Sequence, residues 1–350
     1  MSKSIHSLKE LAKRGFVKDL NISELEPVVE NFSFAITNQM HKQIDLSNKN
    51  DPIALQFIPS PKELNILPQE KADPIGDNPH MTIKGLIHRY PDRCLLTPMH
   101  ICAVYCRFCF RREKVGAGSK LMSKEELETA YKYIREHKEI WEVILTGGDP
   151  LFLKPEMLKQ VIKNLNLIEH LGVIRIHTRI PVVEPSRINI EMLKALQQGK
   201  PVYICVHSNH PNEFTPEAKK ACNDLTSHGI TLLSQSVLLK GINDNIETLS
   251  SLMRCFIQNK IKPYYLHQGD LAQGTQHFRT TIQHGQSLMR QLRGRFSGIC
   301  QPTYILDIPG GFGKSPIGPN YLQEIVGESG STNYIVEDYK GQRHNYTEYA

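Results

Sequence analysis

The stretch at residues 142–165, EVILTGGDPLFLKPEMLKQVIKNL, decides the fold. Its first half is a short β-rich run ending on a glycine pair. Its second half spaces apolar residues as a helix does and starts with Pro155, which a helix accepts in its first turn. The same strand–helix unit recurs along the chain. RCLLTPM precedes SKEELETAYKYIREHK, whose Ser123 and Glu126 make a capping box. VIRIHTR precedes NIEMLKALQQG, and PVYICVHS precedes TPEAKKACNDLTSHG, with Thr215 as cap and Pro216 at the first helical position. ITLLSQSVLL precedes NIETLSSLMRCFIQN, and KPYYLHQGD precedes TIQHGQSLMRQLRGRF. Such alternation with short connections means a parallel sheet covered by helices.

Six units suit an α/β partial (β/α)6 barrel better than a closed eight-stranded one. Barrel chemistry gathers at the C-terminal ends of the strands. The polar residues lie there: TGGDP, HTR, HSNHP and QGD each follow a strand. Residues 93–299 therefore form the barrel. Residues 1–92 read as a helical and loop-rich N-terminal region, with Leu8, Leu11 and Ala12 on one face of its first helix. Residues 300–350 add a strand, a glycine loop and a short end piece.

The chain is 40% hydrophobic and 22% charged, ordinary for a soluble globular protein. It has no apolar run long enough to cross a bilayer, and its N-terminus lacks the apolar stretch of a signal peptide. A cytoplasmic location without a membrane partner is the expectation. The net charge of +6 is spread along the chain, too diffuse to argue for nucleic acid. An anionic small molecule suits it equally well.

Five of the eight cysteines are scattered, but Cys102, Cys106 and Cys109 are clustered as C-x3-C-x2-C in CAVYCRFCFRR, just after the first barrel strand. Three soft thiolates so placed bind metal. A Cys3His zinc site with His100 is one reading, although structural zinc usually uses paired C-x-x-C knuckles and no second pair exists here. A 4Fe–4S cluster normally takes four cysteines, so three would leave one iron open to a ligand.

GFGKS at 311–315 ends as a phosphate-binding P-loop ends. That motif needs a glycine where Ile308 stands and a helix where Pro316 and Pro319 follow. Lys314 therefore serves either as a solvent-facing residue of a flexible turn or for chemistry other than P-loop phosphate binding.

The cysteine spacing and TGGDP resemble the radical S-adenosylmethionine (SAM) superfamily. Further matching stretches are GLIHRYPDR, HTRIPVVEPSRI, HSNHPNE, QSVLLKGIND, PYYLHQGDLAQGTQHFRT and DIPGGFGKSPIGPNY, in order, over about residues 80–322. Together they narrow the resemblance to the lysine 2,3-aminomutase family, which uses SAM and pyridoxal phosphate (PLP) together. The resemblance implies a 4Fe–4S cluster on Cys102, Cys106 and Cys109, and SAM on its open iron near Gly147, Gly148, Asp149 and Gln235. It implies PLP on Lys314, with its phosphate at Arg89, Tyr90 and Arg93. Arg111 would take the substrate carboxylate, and Asp270 and Asp307 the side-chain ammonium of L-lysine. The implied reaction is isomerisation to β-lysine by 1,2-amino migration, started by a 5′-deoxyadenosyl radical.

An electron donor such as flavodoxin or ferredoxin and a homo-oligomer follow from the same likeness. Longer relatives carry C-terminal zinc cysteines, whereas this chain has none after Cys300, so no zinc is expected. CAVYCRFCFRR and YYLH look like the branch that modifies elongation factor P with (R)-β-lysine. DLAQGTQHFRT and the glycine loop look like the free-lysine branch. Another amino acid as substrate, or a non-catalytic zinc or iron–sulfur module, are the alternatives.

Overall fold

The computed structural model describes residues 4–16, 22–116, 118, 120–326 and 332–348. Ten strands lie side by side in chain order in one sheet. They are β1 (Met81–Ile83), β2 (Leu86–Tyr90), β3 (Arg93–Met99), β4 (Glu142–Gly147), β5 (Val173–Thr178), β6 (Val202–His207), β7 (Thr231–Val237), β8 (Ile261–His267), β9 (Thr303–Ile308) and β10 (Gly313–Pro316). Strands β3 to β9 run parallel. The helices Lys124–Glu136, Pro155–Asn166, Ile190–Leu196, Pro216–Ser227, Ile246–Gln258 and Ile282–Leu292 fill the six crossovers.

The caps sit where the sequence places them. Ser123 Oγ accepts from Glu126 N–H at 3.2 Å while Glu126 Oε2 accepts from Ser123 N–H at 2.8 Å. Thr215 Oγ1 accepts from Ala218 N–H at 3.3 Å ahead of Pro216.

Alternation along the strands divides two environments. Cys94, Leu96, Val143, Leu145, Ile174, Ile176, Ile204 and Val206 are buried in the main apolar core with helix residues such as Leu158, Val161, Ile162 and Leu225. The alternate positions Leu95, Ile144, Arg175, His177, His207, Gln235, Tyr265 and His267 line a cavity of about 240 Å³. The concave face thus sets polar side chains among apolar ones and leaves room for ligands.

Two regions differ from the sequence expectation. Within the N-terminal region, Leu8 and Leu11 are buried in a short helix as expected. Residues 81–90, however, are strands β1 and β2, which extend the sheet antiparallel from its β3 edge. The three-residue and five-residue strands are too short to show a period, and Gly85, at φ +80°, turns the chain between them. At the other end, β9 returns through the glycine turn into antiparallel β10. The end piece is a separate three-stranded sheet of β11 (Leu322–Val326), β12 (Thr332–Glu337) and β13 (Arg343–Glu348).

Candidate active site

The cysteine loop leaves β3 without regular secondary structure, held by contacts to the N-terminal region. Tyr105 N–H donates to Ala35 O at 3.1 Å and Arg107 N–H to Gln56 O at 2.9 Å. Arg107, 1% exposed, forks onto Glu63 and donates to Ser33 O at 2.9 Å. Arg112 also pairs with Glu63 and stacks on Phe32 at 3.6 Å, so it braces the loop. With Tyr105 and Arg107 anchored in this way, Cys102, Cys106 and Cys109 all line the cavity.

The glycine pair after β4 lets this loop approach. Gly148 N–H donates to Met99 O at 2.7 Å, and Asp149 N–H to Ile101 O at 3.0 Å. A Cβ on Gly148 would stand 2.4 Å from Ile101 O and 2.5 Å from Ile101 N. Gly148→Ala is therefore expected to push the cysteine loop away and destabilise the fold by about 1–3 kcal/mol. Thermal unfolding and the iron retained per chain measure this; an unchanged variant would refute the close-approach argument.

Asp149 lines the cavity, but its carboxylate accepts from Thr178 Oγ1 at 2.6 Å, Arg179 N–H at 2.7 Å and Leu151 N–H at 3.1 Å. It locks the ends of β4 and β5 together, and burial pushes it up to about 6. Arg179 in turn donates to Cys106 Sγ at 3.0 Å and pairs with Glu213. Burial pushes the Cys109 thiol up to about 11 and raises Cys102 as well. Forming thiolates here calls for a strong local cation.

The donor set suits a cluster. Three soft thiols line one chamber and a guanidinium touches one of them.

The same cavity also carries an amine. Lys314 lies on β10, paired with Asp307 on β9. Its Nζ donates to Asp307 Oδ1 at 2.6 Å, and its backbone N–H donates to Tyr90 OH at 2.7 Å. Gly313, at φ +90°, lets that phenol approach, since a Cβ there would meet Tyr90 OH at 2.8 Å. Arg93 stacks over the Tyr90 ring at 3.8 Å. Arg89 donates to Ile75 O at 2.8 Å and to Asp77 Oδ1 at 3.0 Å. Arg111 grips Asp77 Oδ2 through two nitrogens, at 2.9 and 3.0 Å. An amine, three guanidinium groups and a phenol in one chamber fit a phosphorylated aldehyde cofactor such as PLP.

The two aspartates differ. Burial would raise Asp307, but the hydrogen bond from His267 and the Lys314 ammonium outweigh it and hold the carboxyl at about 2. Asp270 is raised to about 7, first by burial and then by Asp307, and its buried Oδ1 has no partner within the protein. Because its folded pKa lies above the unfolded value, the folded state holds the extra proton between about pH 4 and pH 7. Stability should fall as pH rises through that window. Asp270→Asn should remove this slope and unfold later at pH 8, by roughly 2–4 kcal/mol, as read by denaturant titration at pH 5 and pH 8.

The candidate residues of the cluster, SAM, PLP and substrate reading all line this one cavity: the three cysteines, Gly147, Gly148, Asp149, Gln235, Arg89, Tyr90, Arg93, Arg111, Asp270, Asp307 and Lys314; His100, the fourth ligand of the zinc reading, is not among its lining residues. Sequence reasoning passed over Asp77 and His267. Asp77 carries no motif and is recognisable only as the shared partner of two arginines. His267 had a usable signal, the alternation on β8 that places Tyr265 and His267 on the concave face.

Parallel strand–helix units, three thiols beyond β3 and a glycine strand end beside them define a radical SAM enzyme, and the radical SAM superfamily pattern matches residues 96–253. A second pattern, lysine-2,3-aminomutase, matches residues 289–349. The chain is 40% identical to the L-lysine 2,3-aminomutase of Acetoanaerobium sticklandii over 84% of this chain and 71% of that one. It is 38% identical to the L-lysine 2,3-aminomutase of Clostridium subterminale, over 91% and 76%. It is also 38% identical to the glutamate 2,3-aminomutase of Clostridioides difficile, over 89% and 72%. The chain belongs to the lysine 2,3-aminomutase family. A 4Fe–4S cluster and SAM follow from that membership. Among the described residues no helix is long and apolar enough to cross a membrane.

Proposed function

We propose that this chain converts L-lysine to β-lysine, using PLP carried on Lys314 and a cluster held by Cys102, Cys106 and Cys109. The observation that carries the reading is that Lys314 Nζ shares one chamber with the three thiols and with the unpartnered carboxylate oxygen of Asp270. When bound, the cluster and SAM supply a 5′-deoxyadenosyl radical, and PLP supplies a carbonyl partner for the substrate amine.

The protein's own residues bind, orient and shield. Lys314 anchors the cofactor and later yields it to the substrate amine. Arg93, Tyr90 and Arg89 hold the phosphate. Arg111 takes the substrate carboxylate. Gly147, Gly148 and the backbone of Asp149 meet SAM from β4, and Gln235 from β7. Ile75, Leu95, Ile144 and Val237 wall the chamber and keep water out. A one-electron donor such as flavodoxin or ferredoxin completes the system.

Lysine is favoured over glutamate by charge. Asp270 and Asp307 lie at the same end of the site, and the charge of Asp307 raises Asp270. A side-chain ammonium relieves that repulsion, whereas a third carboxylate would add to it. Reduced protein with SAM and PLP, offered a panel of amino acids, should isomerise L-lysine and leave L-glutamate unchanged. Glutamate turnover that survives Asp270→Ala would overturn the substrate assignment.

A further inference from the structure

We propose that His267 is a specificity-determining residue at the far end of this cavity: its Nδ1–H pins Asp307, and its Nε2 joins Asp270 Oδ1 as an acceptor for the side-chain ammonium of a diamino-acid substrate. The inference rests on the aminomutase reading above and adds a residue to it.

His267 is 5% exposed, at the end of β8, and lines the cavity. Its Nδ1 lies 3.3 Å from Asp307 Oδ2. The ionised carboxylate can only accept, so Nδ1 carries the proton, a tautomer assigned from this contact. In the neutral ring Nε2 is then a bare lone pair. Burial and the Lys314 ammonium both favour that neutral ring, against the pull of Asp307. Tyr265 packs edge-on at 5.9 Å, and His207 lies within electrostatic reach.

The Nε2 atom is shielded from solvent and has no partner within the protein. Asp270 Oδ1, three residues further along the chain, is in the same condition. Two such acceptors left unpaired among the residues lining one cavity are costly unless a ligand supplies donors. Asp307 is already engaged on both oxygens, by Lys314 at 2.6 Å and by His267. Of the two aspartates it is thus Asp270 that keeps an open acceptor; among the cavity histidines with an unpartnered Nε2, which include His177 and His207, His267 is the one that also touches Asp307. An ammonium has three N–H donors and no acceptor, which suits a carboxylate beside an imidazole lone pair. A carboxylate-ended side chain would bring acceptors against acceptors and charge against charge.

The test measures binding to PLP-loaded protein without reductant, through the change in PLP absorbance, with L-lysine and with L-norleucine, which lacks the terminal amine. His267→Phe should weaken L-lysine about tenfold to a hundredfold and leave L-norleucine unchanged. His267→Gln, which keeps both a donor and an acceptor, should stay within about threefold of the parent for both ligands. Equal losses for the two ligands in both variants would mean that His267 only supports the fold, and unaltered L-lysine binding in His267→Phe would mean that it contacts nothing. Either result overturns the proposal while PLP still binds. Failure of the parent protein to form a PLP adduct would instead remove the aminomutase reading, and this inference with it.

Discussion

Lys314→Ala is expected to lower turnover by at least about a thousandfold and to erase the visible absorbance band of protein-bound PLP. Lys314 is the one lysine among the described residues that lines the cavity, so no neighbouring amine can replace it. The loss should not come from unfolding. Strand β10 is held by pairing to β9 and by the Lys314 N–H to Tyr90 bond, both made by the backbone of residue 314. Lys314→Arg supplies the control. It keeps a cation beside Asp307 and so preserves the fold, yet it should lose the band equally. A variant with a normal band would show that the cofactor is carried elsewhere.

Cys106→Ala is expected to do the opposite half of the damage. Removing one of three ligands should drop iron to near zero and abolish reductive cleavage of SAM. PLP should still bind, because Lys314, Tyr90 and Arg93 stand on β10 and at the β2–β3 turn rather than on the cysteine loop. The thiol also touches Arg179, whose guanidinium keeps Glu213 and stacks over Phe57 at 4.9 Å. Stability should therefore change by no more than about 1–2 kcal/mol. Loss of the PLP band together with the iron would mean that the cysteine loop and β10 fold as one unit.

The parallel core was legible because each unit announces itself twice, in a β-rich run and in a helical stretch, some of them with a visible cap such as Ser123 with Glu126 ahead of the helix Lys124–Glu136. The cysteine loop was legible through spacing and place. The hairpin at 81–90 was not, because its strands of three and five residues are too short to show an alternation, even though β3 follows directly. Asp77 escaped for another reason. Nothing around it in the sequence hints that Arg89 and Arg111 converge on it, and only the folded chain brings them there. The sequence could pair Asp270 with Asp307 through resemblance, but not their division of charge. That division depends on His267 and Lys314 both reaching Asp307 and neither satisfying Asp270 Oδ1.

Radical chemistry and amine chemistry must meet on one substrate if thiols and Lys314 share a working chamber. L-lysine carrying deuterium on Cβ, incubated with reduced protein, SAM and PLP, tests this most directly. Deuterium should appear in the 5′-methylene of SAM, and Lys314→Ala should prevent it. SAM cleavage with all deuterium kept on lysine, or transfer that persists without Lys314, would contradict the account.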